Sequence, residues 1–457
     1  MIQPRTILTS SAAAALLWLT CISAPALNLP QVLSDNMVLQ QGRPVPVWGG
    51  ADLGEEVTVS IAGQTATAKT GADGRWKVKL KELKASADPL EMTVTGSSGK
   101  SITLKNILVG EVWLCFGQSN MAMGVGGCKN GQEELAAANY PKIRLLAVGG
   151  GPWSPCTPQR VSIGGLCGYS AVAYFFGRHL HQELNVPVGL VHSDGARALW
   201  WTSRQAIEAD PALKSIIKGE APRFYDNVIA PLVPYAIRGV AWYQGEADVE
   251  HSYQYRTVLP AMIASWRADW GQGDFPFGIV QLAPFRYSKL DPRNCAELRE
   301  SQLLTAKRVP NTGLIVTMDI GNVNDIHPLN KQDVGKRLAL WAMAKVYGKD
   351  LVYSGPIYKS MAVEANIIRL RFDHAGGGLT ASGDKPLVEF TIAGADQKFV
   401  PATATIDGAT VVVQSDQVAQ PVAVRYAWHD DAQPNLTNKE GLSASPFRTD
   451  TWKCVTE

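Results

Sequence analysis

The sequence predicts an α/β fold in three parts: a three-layer α/β/α domain on a parallel sheet at residues 107–350, flanked by all-β sandwich modules at 27–106 and 351–457. Three observations predict it. In the middle of the chain, apolar strand-like runs alternate with helical ones, the pattern of a parallel sheet covered on both faces. Before it, short strands come at regular spacing with turn residues between them and no helical period. After it, the chain returns to alternating strands. A chain of 457 residues has room for about three such units.

Residues 1–26 read as a targeting segment. Arg5 gives a positive start, an apolar run at 12–19 follows, and Ala24-Pro25-Ala26 is a small-x-small cleavage site. The run is too short to span a bilayer, which takes about 20 residues. Leu19-Thr20-Cys21 loosely matches a lipid-modification site, but Thr20 fits it poorly. The mature chain is expected to be periplasmic or secreted, with no membrane partner.

In the first β module, strands are expected at 45–50, 57–61, 75–80 and 92–95, with Ala72-Asp73-Gly74 as a turn. The central domain opens on an apolar run at 107–114. A helix at 169–184, strands at 188–192 and 240–243, and a helix at 256–270 follow. Strands at 277–282 and 314–318 and an amphipathic helix at 330–347 complete it. In such sheets function sits beyond the carboxyl ends of the strands. The last module has strands at 367–372, 387–392, 410–413 and 422–428, with a glycine-rich turn at 374–378.

Composition narrows the function. Hydrophobic residues make up 46 % and charged residues 18 %, so the chain is globular, and a net charge of +2 without charge runs argues against nucleic acid or an anionic membrane as partner. The 13 Trp could include stacking faces for sugar rings, although most buried Trp is core. Beyond Cys21 there are Cys115, Cys128, Cys156, Cys167, Cys295 and Cys454. An exported chain with an even count permits disulfides, and Cys156 with Cys167 could close a short ring. Cys115, inside a strand pattern, reads equally well as a buried thiol.

Gly117-Gln118-Ser119-Asn120-Met121 directly follows the apolar run 112–116. A serine at a strand-to-helix turn lifts its hydroxyl above the sheet edge and aims its N–H at a developing oxyanion. The second glycine of the G-x-S-x-G elbow is absent, and a serine there could simply cap the next helix. As nucleophile Ser119 needs a base. Of seven histidines, His179 and His181 lie two apart on a helix and face different sides. His192 ends a strand, His251 sits in a polar loop, and His374 and His429 fall in the last module. His327 stands out in the polar loop Asn322-Val323-Asn324-Asp325-Ile326-His327-Pro328, between a strand and an amphipathic helix. Asp325, two residues back, shares its side on extended backbone and could orient the imidazole. A plain loop-and-cap role fits the same residues about as well. No H-E-x-x-H or Cys/His spacing suits a metal, and no glycine-rich phosphate loop implies a nucleotide, so no cofactor is expected.

Together these stretches resemble the sialate O-acetylesterase family within the SGNH (GDSL-like) hydrolases. The resemblance runs from about residue 29 to 452. It is most specific at Gly110-Glu111-Val112-Trp113 leading into Gly117–Met121, at Trp242-Tyr243-Gln244-Gly245-Glu246, and at Asp325-Ile326-His327-Pro328 with Asn330-Lys331-Gln332-Asp333-Val334-Gly335. Asp35-Asn36-Met37-Val38-Leu39-Gln40 and Ser445-Pro446-Phe447-Arg448-Thr449-Asp450 are similar to the family as well.

The resemblance implies an exported serine esterase that removes O-acetyl groups from sugars, with Ser119 as nucleophile and His327 as base. The Ser119 N–H, the Gln244 amide and a glycine, here Gly195, would form the oxyanion hole. Gln118, Asn120, Glu246 and Trp200 would line the substrate site, Glu246 more as a buried support than as an acid. The paired glycines, acid and Trp usual in the family read Ser193-Asp194-Gly195-Ala196-Arg197-Ala198-Leu199-Trp200-Trp201 here, with one glycine and the acid missing. SGNH enzymes place an Asp three residues before the His, where this chain has Asn324. Asp325 is the expected triad acid, Asp319 the runner-up, and a Ser–His dyad the third option. Rival readings are a sugar-binding protein that kept the fold without turnover, and the same chemistry on another acyl group. Sialic acid and acetylated plant polysaccharide both remain open as substrates, as does the oligomeric state.

Overall fold

The computed structural model describes residues 27–218 and 222–457. The targeting segment expected at 1–26, with Cys21, lies outside the described residues. Among the described residues, no helix is long and apolar enough to cross a membrane.

A mostly parallel sheet forms the centre. Its strands lie in the order Thr312–Ile315, Phe277–Val280, Gly239–Tyr243, Ser101–Gly117, Val188–Asp194, Tyr140–Ala147, Ser154–Cys156. The first six are parallel, and Ser154–Cys156 closes one edge antiparallel. These strands are apolar because both faces are covered. On Ser101–Gly117, Trp113 and Phe116 point to opposite faces, as odd spacing on a strand requires. Trp113 meets Phe176 of the helix Ala171–Leu184 and Trp341 of the helix Lys331–Lys345. Phe116 meets Trp266 of the helix Ser252–Trp270. The two helices of the first face approach closely at Gly335, where a Cβ would lie 2.5 Å from the Phe175 Cβ.

The central strand is longer than the sequence pattern suggests. Its first part pairs antiparallel with Ser86–Gly96 of the first β module, and its second part enters the parallel sheet. One continuous strand thus crosses the 106/107 boundary. From its carboxyl end the chain runs out to Tyr140–Ala147, returns beside it as Val188–Asp194, and then crosses to Gly239–Tyr243 on its other flank. In open α/β sheets such a reversal is where ligands bind, and here it falls where Gly117 ends the strand.

The helix Arg293–Arg308 escapes the sequence pattern. Its buried side includes Glu297, Arg299, Ser301, Gln302 and Thr305, so no apolar stripe marks it. Beyond residue 355 the chain forms small antiparallel sheets, including Ile357–Glu364, Ile367–Asp373, Thr410–Gln414 and Thr403–Asp407 in one, and Phe390–Ala393 with Ala423–Tyr426 in another. Their core takes in Val316 and Met318 of the central domain.

One expectation changes and another holds. The six described cysteines are all free thiols: Cys156 is buried, while Cys167 is exposed, and the short ring is not formed. Burial pushes the Cys156 thiol up to about 12. Among the Trp, residues 113, 153, 201, 242, 266 and 341 are fully buried, so they serve the core rather than a sugar face.

Candidate active site

The serine turn is fixed by what lies beside it. In register, Gly117 pairs with Asp194 on one side and Tyr243 on the other. A Cβ at Gly117 would lie 2.0 Å from the Tyr243 carbonyl oxygen, so only glycine lets the strands approach. Gln118, extended at φ −133°, breaks the strand, and the short helix Ser119–Ala122 begins. The Gln118 N–H donates to the Tyr243 carbonyl at 3.1 Å. Its side-chain oxygen accepts from the N–H groups of Gly245 and Ala247 at 3.2 and 3.3 Å. Gln118 therefore ties the serine turn to the turn after the next strand. Ser119 is half-buried just beyond the strand end, and as first residue of its helix its N–H has no intrahelical acceptor.

Asn120 reaches two other segments. Its amide donates to the Ile326 carbonyl at 2.9 Å and to Glu246 Oε1 at 2.5 Å, and its oxygen accepts from Lys331 Nζ at 2.6 Å. The residue after Ser119 is thus bonded to the residue before His327, although 206 positions separate them. Asn120 is 2 % exposed and Lys331 fully buried. Burial pushes the Lys331 ammonium down to about 8, while Glu246 opposes that. Burial also raises Glu246, against the Asn120 hydrogen bond and the Lys331 charge. Of the expected substrate residues, Asn120 and Glu246 are therefore turned toward each other and inward.

Gln244, also expected in the oxyanion hole, is fully buried. Its amide nitrogen donates to Asp248 Oδ2 at 2.7 Å, and its oxygen accepts from Tyr255 at 2.9 Å, which leaves one amide N–H uncommitted. Asp248 also accepts from Arg197 Nε at 3.1 Å and the Ala198 N–H at 2.9 Å, locking the 195–198 segment to the Gln244 strand end. The Gly195 N–H donates to the Gly117 carbonyl at 2.9 Å, so it holds two strand ends together rather than facing a ligand. A Cβ at Gly195 would lie 2.7 Å from the Phe224 ring. Trp200 is half-buried, with Arg223 4.1 Å above its ring.

His327 sits in an irregular loop, its side chain 34 % exposed. Its Nε2 atom is buried and has no hydrogen-bond partner among the described residues, Ser119 included. Catalytic hydrogen bonds are often long in a free enzyme and tighten with substrate. Asp325 Oδ1 accepts the His327 backbone N–H at 2.9 Å but lies 3.9 Å from Nδ1, beyond hydrogen-bond reach. Asp319, the runner-up, is held by Arg337 through two bonds of 2.7 and 2.6 Å and is committed there. His192 is 8 % exposed, and its Nδ1 is 3.1 Å from the Cys115 carbonyl; burial lowers its pKa.

Sequence reasoning gave no role to Lys331 or Asp248. Both stand inside or beside the stretches that carry the family resemblance, which was the available signal. Among the described residues, the group close enough to hold a metal ion is His429, Asp430 and Asp431 in the last module. Both His429 nitrogens already face carboxylates there, Glu389 at 2.7 Å and Asp431 at 2.9 Å.

Comparisons with known proteins point one way. Residues 109–344 match the family described as carbohydrate esterase, sialic acid-specific acetylesterase. The sialate O-acetylesterase of Homo sapiens is 29 % identical, covering 90 % of this chain and 90 % of its own length. That of Mus musculus is 27 % identical, over 86 % and 88 %. A solved carbohydrate acetylesterase from Xanthomonas citri is 40 % identical with a TM-score of 0.86, covering 93 % of this chain and 100 % of its own.

Proposed function

This chain belongs to the sialic acid-specific acetylesterase family of carbohydrate esterases; it is a carboxylic ester hydrolase acting on O-acetyl groups of carbohydrates, and we propose that it works by two-step acyl transfer through Ser119 and His327. His327 Nε2 takes the proton of the Ser119 hydroxyl as its oxygen attacks the acetyl carbonyl. The tetrahedral oxyanion rests on the Ser119 N–H and the uncommitted amide N–H of Gln244, each such donor contributing about 3 kcal/mol in the transition state. His327 returns the proton to the departing sugar oxygen, the C–O bond breaks, and Ser119 is left acetylated. Water, deprotonated by His327, then releases acetate.

The observation that carries this reading is the Asn120–Ile326 hydrogen bond, which brings the Ser119 turn and the His327 loop to one sheet edge. The orphaned, buried Nε2 of His327 supports it, as a base awaiting its partner. Asp325 orients His327 through the backbone and acts on the ring through space, closer to a dyad than to a hydrogen-bonded triad. Gly195 contributes by keeping the strand ends together. Trp200, half-buried with Arg223 over one side of its ring, is a candidate face for the sugar.

The three-part organisation at 27–106, 107–350 and 351–457 and an SGNH-type catalytic domain belong to the same proposal. So does export of a mature chain starting at Leu27. The substrate is an acetylated sugar, either a sialic acid or a unit of a plant polysaccharide. Ser119→Ala should lower acetate release from acetylated sugars by at least about a thousandfold and abolish fluorophosphonate labelling. Full acetate release by that variant would end the reading.

A further inference from the structure

We propose that Lys331 is a positioning residue, whose buried ammonium fixes the Asn120 carboxamide so that it clamps the serine turn to the histidine loop. The inference rests on the Ser119–His327 reading. Lys331 is the first residue of its helix and fully buried, four positions after His327. A buried cation persists where it is paired and hydrogen-bonded. Its Nζ donates to Asn120 Oδ1 at 2.6 Å and lies 5.4 Å from the centre of the Tyr243 ring.

The ammonium only donates, so it dictates which end of the Asn120 amide faces it. The oxygen must turn to Lys331, and both N–H groups then turn to Glu246 Oε1 and the Ile326 carbonyl. With the amide reversed, its N–H groups would face a cation and its oxygen would face a carbonyl and a carboxyl group. A neutral partner at 331 imposes no such choice. Lys331 and Glu246 are also charge partners across the Asn120 side chain, and each opposes the other's burial. The clamp therefore has four members: Lys331, Asn120, Glu246 and the Ile326 carbonyl. It ends one residue from the hydroxyl and one residue from the imidazole. A displacement of about 1 Å between reacting groups can cost on the order of a hundredfold in rate.

Lys331→Met keeps length and apolar stem but removes the donor. Acetate release should be measured with kcat expressed per fluorophosphonate-titrated site, so that misfolded protein is not counted. The expected result is a kcat lower by about 10- to 100-fold with KM within about threefold. In an Asn120→Ala background, Lys331→Met should cost less than about twofold more, since its target is gone. Lys331→Gln, which keeps an N–H donor, should recover part of the loss, and it is measured in the same way should the Met variant not fold. A kcat per site within twofold of the parent for Lys331→Met, or for Lys331→Gln when the Met variant does not fold, overturns the inference. Losses that simply multiply in the double variant also overturn it. An inactive Ser119→Ala beside a fully active Lys331→Met would sink the clamp alone, whereas an active Ser119→Ala would sink the underlying mechanism.

Discussion

Replacing Asp325 by Asn separates a hydrogen-bonded triad from a Ser–His pair assisted at a distance. Asn keeps a side-chain oxygen to accept the His327 N–H, so the 2.9 Å turn bond survives and only the charge is removed. That charge lies 3.9 Å from Nδ1, and the Asp325 side chain is 53 % exposed. Two unit charges near this spacing attract by about 1 kcal/mol in water and about 4 kcal/mol at an effective dielectric of 20. With half the carboxylate in solvent, the value belongs near the lower figure, about 1–2 kcal/mol on the imidazolium that forms in the transition state. The expected loss in kcat/KM is therefore about 5- to 30-fold. Removing the acid of a hydrogen-bonded triad costs about ten-thousandfold instead. Acetate release from an acetylated sugar at neutral pH measures this directly. The loss should shrink further between low salt and about 0.5 M salt, because an exposed charge is screened. A loss above a thousandfold would show that Asp325 closes onto Nδ1 during turnover, and the distance argument would be wrong.

Gly117→Ala should abolish activity and lower yield of folded protein, since its Cβ would lie 2.0 Å from one backbone atom and 2.6 Å from the next, with no flexible side chain to move; a folded, fully active variant would contradict the packing described. Arg238→Met leaves Glu111, fully buried, without the guanidinium that bonds it at 2.5 and 2.9 Å. Breaking such a pair costs about 3–5 kcal/mol; Tyr347 and Gln40 still bond the carboxylate, so denaturant titration should return the lower end. The Glu389 hydrogen bond, with help from Asp431, raises His429 above its ordinary pKa. Its contribution to stability is thus fully present below about pH 6.5 and fades as pH rises through the folded value. The melting-temperature gap between parent and His429→Gln should be wider at pH 6 than at pH 8.5, and an equal gap at both would refute the pairing.

Much of the architecture was legible because it rests on local pattern. Apolar runs bounded by turns marked five of the central strands but not those at 140–147 and 154–156, and the helices at 171–184 and 331–345 carried the expected face. The long strand was under-read because 101–106 alternates as an edge strand would, with nothing to announce that it continues into a buried one. The helix 293–308 was missed because it buries charge and amide groups to hold other segments. At the site, Ser119 and His327 were legible as a turn serine and a loop histidine. The partnerships of Asn120 and Gly195 were not, because they are set by residues more than 70 positions away, and those of Gln244 with Asp248 and Tyr255 were not, because they depend on how the turn after its strand folds back. A motif names residue types; only packing decides whether an amide faces a substrate or a buried neighbour.

The last β module belongs to the site's physics, not only to its surroundings. Arg299, fully buried, donates to the carbonyls of Leu282 and Ala283 in the central domain and to those of His429 and Asp430 in the last module. Asp430 in turn accepts the N–H groups of Phe285 and Tyr287. The Arg286 N–H between them donates to the Val323 carbonyl, four residues before His327. An irregular loop has no ladder of its own and needs its polar backbone satisfied from outside. Here that satisfaction runs from the module through 283–287 to the histidine loop on one side, and from Lys331 and Asn120 on the other. On the proposed mechanism, His327 held from two sides by groups that never touch the reaction would have a fixed place before substrate arrives, which is what positioning for acyl transfer requires.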